Sequence, residues 1–260
     1  LFISLHQDGR TLYPGSGFMG EMGGPNAAGT TLNIPLPPNT SEEGFLYVIN
    51  NIVLPILEEY KPELIINSAG QDNHFSDPIT NMNFSAQGYA KMTTLLKPDI
   101  AVLEGGYSIE GALPYMNVGI ILALAGIDYT NVTEPDYEPD SIRQSRQITE
   151  HIQQTGDTIL SVWDQRPAIT EQLRKNQKII KRDRRIFYDT DNIIEHQKET
   201  IRVCSDCGGA LRIDSSSSRG GHILAVQVPR NACKACRDQG YHWFEAESKS
   251  RYDMVLMQRS

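Results

Sequence analysis

Over the first 130 positions the apolar residues alternate between two periods. "LFISL" (1–5) and "TTLNIPL" (30–36) are short apolar runs of strand type, and "EYKPELIINSAG" holds a third at 64–68. Between them Phe45, Val48, Ile49, Ile52, Val53 and Ile56 recur at three- and four-residue steps, which predicts an amphipathic helix. Thr40 and Glu43 precede that stripe at the spacing of a capping box. A second helix is predicted from Ser85 through Tyr89 and Leu95 to a stop at Pro98. "DIAVLEGGY" then reads as a buried strand ending in a double glycine, and an apolar helix follows over 112–125. Alternating helices and continuously apolar strands predict an α/β fold, a parallel sheet with helices on both faces. Ligands of such sheets bind beyond the carboxyl ends of the strands. "SAGQD" (68–72) and "EGGY" (104–107) fall there.

After residue 130 the pattern changes. "TNVTEPDYEPDS" is acidic and proline-containing, a domain exit, and 141–200 reads as charged helix. Within it Arg174, Lys175, Lys178, Lys181, Arg182, Arg184 and Arg185 stand against Asp183 alone. A solvated helix face is the favoured reading of this run, and nucleic-acid binding the alternative. Residues 1–140 carry 4 Lys/Arg against 17 Asp/Glu and the remainder 20 against 15, so the halves differ in sign. Such asymmetry implies two regions with different roles.

The four cysteines lie as Cys204-x-x-Cys207 and Cys233-x-x-Cys236, with 25 residues between the pairs. Two short loops of this kind each bring two thiolates to one tetrahedral Zn²⁺, and Gly208 and Gly209 provide the tight turn after the first. Two disulfides are the alternative. Four thiolates fill the coordination sphere, so the reading is a structural zinc that staples a small ribbon, not a catalytic one. The aromatics of "GYHWFE" (240–245) either pack on that ribbon or meet a nucleic-acid or protein partner.

At 39% apolar and 22% charged the chain has the composition of a globular protein. Its longest uncharged apolar run, Val118 to Ala125, falls well short of the roughly 20 residues that cross a bilayer, so no membrane association is expected. The first residues lack a basic segment and a cleavage signature; they read as a strand entered in the middle of a domain. The expected compartment is the cytoplasm.

Five ordered stretches carry a resemblance: "SLH" (4–6), "YPGSG" (13–17), "NIPLP" (33–37), "SAGQD" (68–72) with "DP" (77–78), and "EGGY" (104–107). Residues 1–135 resemble the second half of the catalytic domain of the histone deacetylase superfamily, which includes acetylpolyamine amidohydrolases. The resemblance implies an arginase-deacetylase fold, truncated at its N-terminus, and zinc-dependent hydrolysis of an acetyl-lysine or acetylpolyamine amide. It implies that Asp72 is one ligand of the catalytic zinc and that the Tyr107 hydroxyl holds the substrate carbonyl and the oxyanion. It further places Tyr13 on a narrow acyl-lysine channel, Gly105 and Gly106 on the opposite wall, and Ser4 and Leu5 at a monovalent-cation (K⁺) site with His6 beside it. His74 and Asp77 are expected to shape the loop.

Two departures accompany it. The family's Asp-x-His-His-Gly stretch and its catalytic histidine pair do not occur; His6, His74, His151, His196, His222 and His242 include no adjacent pair. Truncation is the expected cause, and the 260 residues alone are expected to be inactive. Gln71 stands where relatives carry an apolar residue, a change that bears on acyl and substrate preference. The resulting division is a deacetylase-like part over 1–137, a charged helical linker over 138–200, a four-cysteine ribbon over 201–248 and a tail over 249–260. The competing reading is a non-catalytic nucleic-acid or protein binding module that uses the basic segment and the ribbon.

Overall fold

In the computed structural model, which describes residues 1–176, 178–246 and 251–259, the chain forms two compact units. The first comprises Leu1–Met22 and Thr31–Asp164, the second Gly23–Thr30 and Gln165–Ser260.

The first unit opens with strands β1 (Phe2–Gln7) and β2 (Thr31–Leu36), paired in parallel from Phe2 opposite Thr31 to Gln7 opposite Leu36. The apolar stripe folds as α1 (Glu42–Val48), a π-helical turn (Ile49–Val53) and α2 (Leu54–Tyr60), and all six stripe residues are buried. Pro55 accounts for the turn. It has no N–H, and its ring crowds the carbonyl four residues back, which a wider π turn relieves. The expected capping box does not form. Ser41 is the N-cap residue, and its backbone N–H and hydroxyl both donate to Gln144 Oε1, at 3.1 and 3.2 Å. The Thr40 hydroxyl turns back to the Pro37 carbonyl at 2.7 Å instead.

Helix α3 (Ala86–Leu96) starts as expected at Ser85, whose Oγ accepts the Gly88 N–H at 3.0 Å, and ends on a left-handed Lys97 before Pro98. Strands β3 (Ile66–Ala69) and β4 (Ile100–Leu103) pair in parallel, and α4 (Leu113–Leu124) follows. Among the described residues β3 and β4 form a two-stranded sheet of their own. Ile66 is 57% and Leu103 62% exposed, because among the described residues nothing covers that side of the pair. Phe45 stacks on Phe84 at 4.5 Å and Phe84 meets Tyr89 at 4.6 Å in the core. The long helix α5 (Arg146–Asn176) adds Ile152, Ile159 and Trp163, whose indole N–H donates to Glu59 Oε2 at 2.7 Å.

In the second unit β5 (Ile179–Tyr188), β6 (Ile193–Arg202), β7 (Ala210–Ser217), β8 (His222–Val228) and β9 (Met254–Arg259) form one sheet in that order, antiparallel except between β8 and β9. Helix α6 (Lys234–Ala246) packs on it over Leu224, Val226 and Val228. Three expectations are corrected. Residues 179–188 and 193–202 are strands rather than helix, and β6 runs through the boundary placed at 200. Residues 254–259 are an edge strand, not a tail. The boundary placed at 248 lies outside the described residues. No described helix is long and apolar enough to cross a membrane.

Candidate active site and metal cluster

The sharp turns at the ends of β3 and β4 bring two loops together. Gln71 N–H donates to the Gly105 carbonyl at 2.5 Å, and Tyr107 N–H donates to Asp77 Oδ2 at 2.8 Å. The other Asp77 oxygen accepts from Ile79 N–H at 2.9 Å, so this buried carboxylate fixes its own loop and the start of the tyrosine loop together. His74 lies fully buried between Ser76 Oγ (3.0 Å from Nδ1) and Glu134 Oε1 (3.1 Å from Nε2). Both side chains shape the loop, as expected of them.

Asp72 and Tyr107 converge over Gly105. A Cβ on that glycine would lie 3.1 Å from Asp72 Oδ2 and 3.4 Å from the Tyr107 hydroxyl, so a side chain there would fill the space the two groups face. Burial, and then the Asp77 carboxylate beside it, raise the Asp72 carboxyl above the usual carboxylate range. A desolvated carboxylate next to a second one favours a cation. Gly106, at φ +156°, packs against Gln71 and Leu113. Gln71 itself is buried and donates to Asn117 Oδ1 at 2.7 Å.

Ser4, Leu5, His6 and Asp72 line one cleft of about 890 Å³. His6 Nε2 donates to the Gly17 carbonyl at 2.9 Å, which leaves Nδ1 to accept the Ser4 hydroxyl at 2.8 Å; the imidazole thus ties β1 to the "YPGSG" loop. Tyr13 stands on that loop, 54% exposed. Among the described residues no third histidine, cysteine or carboxylate completes a metal-binding group around Asp72. One carboxylate does not fit a catalytic zinc, which takes three protein ligands.

The cysteines do assemble. The ligand atoms of Cys204, Cys207, Cys233 and Cys236 all lie within 4.8 Å of one another, and all four thiols are free. Tetrahedral zinc at about 2.3 Å from each sulfur sets neighbouring sulfurs about 3.8 Å apart; Cys204 Sγ and Cys233 Sγ are separated by 3.8 Å. Asp206 and Gly209 N–H groups point at Cys204 and Cys207 sulfurs at 3.4 Å, and Arg202 Nε at Cys236 sulfur at 3.2 Å. Burial opposes the Cys207 thiolate, but backbone N–H donation from Cys233 and Gly209 and donation from neighbouring thiols outweigh it and bring the thiol down to about 7. The four sulfurs form a site that could hold a metal.

Part of the basic run is neutralised within the sheet. Arg182 and Arg184 both pair with the buried Glu199 of β6. Sequence reasoning also missed Asn26, whose side chain hydrogen-bonds around the first cysteine pair. The only local signal, an Asn in "GGPNAAG", is that of any turn.

Residues 1–117 match the family model described as the histone deacetylase domain. A probable deacetylase of Archaeoglobus fulgidus is 49% identical over 156 residues, covering 56% of this chain and 43% of the relative. The chloroplastic histone deacetylase 14 of Arabidopsis thaliana is 37% identical over 118 residues, covering 42% and 27%. The solved structure of the histone deacetylase Clr3 superposes with a TM-score of 0.54 at 21% identity, over 75% of this chain and 36% of that one, a likeness of fold. The chain thus spans less than half the length of these relatives.

Proposed function

We propose, because residues 1–117 match the histone deacetylase domain model, that the complete protein hydrolyses the acetyl amide of an acetylated protein lysine or an acetylated small amine. The observation that carries this reading is the convergence of the Asp72 carboxylate and the Tyr107 hydroxyl over Gly105. Tyr107 donates to the carbonyl oxygen as negative charge develops there, and Asp77 holds the tyrosine loop for that role. Asp72 supplies one ligand of the catalytic zinc, and residues outside these 260 supply the others. Gly105 and Gly106 admit the acyl group past bare backbone, Tyr13 lines the channel, and Ser4 with Leu5 faces a monovalent cation. Gln71, turned to Asn117, bears on acyl preference by positioning the loop. The four cysteines hold a structural zinc, and the compartment is the cytoplasm, where thiols stay reduced.

The test compares the complete protein with the 260-residue chain on an acetyl-lysine peptide and an acetylpolyamine. Turnover of either by the complete protein, with none by the shorter chain, is expected. A zinc-loaded complete protein inert toward both substrates would sink the deacetylase reading, and turnover by the shorter chain would sink the incomplete ligand set.

A further inference from the structure

Gly23–Thr30 lies in sequence between β1 and β2 but belongs to the second unit. Within that unit Asn26 uses every hydrogen-bonding atom of its amide on the first cysteine loop or the strand that leads into it. Its Oδ1 accepts the Cys204 N–H at 3.0 Å, and its Nδ2 donates to the Gly208 carbonyl at 3.0 Å and the Arg202 carbonyl at 3.2 Å. These three backbone groups bracket Cys204 and Cys207 on both sides. The cysteine loop has been shaped to receive the amide: Gly209 sits at φ +78°, and a Cβ there would be 2.5 Å from Asn26 Nδ2 and 2.0 Å from the Arg202 carbonyl. A second close approach anchors the same segment. Gly29, at φ +80°, is buried so near α5 that a Cβ would lie 2.5 Å from Arg166 Cβ.

We propose that Asn26 is a positioning residue of the four-cysteine metal site, so that metal loading and the ordering of residues 23–30 are one event. The inference rests on the metal reading of the cysteines. Without metal, the seven-residue connection between β6 and β7 that carries Cys204 and Cys207 has few other ties, and the backbone groups that Asn26 grips scatter. With metal, two sulfurs are fixed, the loop presents one N–H and two carbonyls in a constant array, and the amide clamps them. The coupling is reciprocal, as linkage requires. The segment then responds to metal although none of its residues can ligate one, since "GGPNAAGT" contains no histidine, cysteine or carboxylate.

The experiment uses the whole 260-residue chain and zinc. Zinc per chain is measured by elemental analysis, affinity by competition with a chromophoric chelator, and amide hydrogen exchange with and without bound zinc. One zinc per chain is expected, and its removal speeds exchange across 23–30 and at the Cys204 amide. Asn26→Ala weakens zinc about 10-fold or more, in the range found when partners that orient metal ligands are removed. Asn26→Asp, which keeps the acceptor and loses both donations, falls between. The wild-type exchange comparison needs no variant and stands if Asn26→Ala folds poorly. One tightly bound zinc with unchanged exchange over 23–30 on its removal overturns the inference and leaves the metal reading intact; so does undiminished affinity in Asn26→Ala. A wild-type chain that binds no zinc overturns the metal reading and the inference with it.

Discussion

Asp77 shows how much one carboxylate can organise: one oxygen holds the turn that follows Asp72, and the other holds the amide of Tyr107. Two substitutions in the complete protein separate the proposed roles. Tyr107→Phe removes a single donor and should lower kcat by about 10²–10³ with KM little changed. Asp77→Asn turns an amide donor toward a backbone donor and should lower kcat while also loosening the loop, visible as faster exchange at the Tyr107 amide. Equal activity in Tyr107→Phe would remove the hydroxyl from the reaction. Buried beside that loop, Glu134, from the segment after α4, accepts from His74 and from Ala86 N–H at 2.9 Å. Burial alone would raise its carboxyl, but the His74 and Ala86 hydrogen bonds reverse that and hold it below the ordinary value of 4.5. Its stabilising contribution is therefore complete above about pH 4.5 and is lost as pH falls through the lower folded value. Glu134→Ala leaves two buried donors unpaired and should cost about 3 kcal/mol near neutrality, measured by denaturant unfolding, with a shallower loss of stability on acidification than wild type.

At the scale of elements, α6 poses a conflict between propensity and packing. Gly240→Ala would by helix propensity stabilise by about 1 kcal/mol. The new Cβ would meet Val228 Cγ2 at 2.3 Å, and a β-branched side chain in a strand cannot swing aside. Overpacking costs about 1–3 kcal/mol, so the substitution should lower the melting temperature of the second unit. The same competition between local and tertiary terms explains what was legible in the sequence. The stripe from Phe45 to Ile56 and the cap at Ser85 were readable because local spacing alone decides them. Strand β6 was not, because between Ile193 and Ile201 its inward positions are Glu195, Gln197 and Glu199; Glu195 accepts from Ser215 across the sheet and from Gln197 on its own strand, and Glu199 accepts from Arg182. An alternation of polar with polar carries no hydrophobic period. The cysteines were legible for the opposite reason, since two loops of fixed spacing do the work, whereas Asn26 reaches the same site from 178 positions away in sequence. Asp72 and Tyr107 were found through family motifs, and their convergence on Gly105 required the fold.

For the whole molecule, the two tryptophans fall one to each unit: Trp163 in the first core, Trp243 against the second. Single-tryptophan variants should therefore report the units separately. Chelation of zinc is expected to lower the melting midpoint seen by Trp243 and leave that seen by Trp163 unchanged; one shared transition in both variants would contradict two units of independent stability. The placement of residues 23–30 has a consequence for biosynthesis. That octapeptide leaves the ribosome ahead of the rest of its unit, whose sheet is complete only once β9 has emerged more than two hundred residues later. The second unit is thus a discontinuous domain that no single proteolytic cut can excise whole, and its last native contacts must wait until β9 has been synthesised.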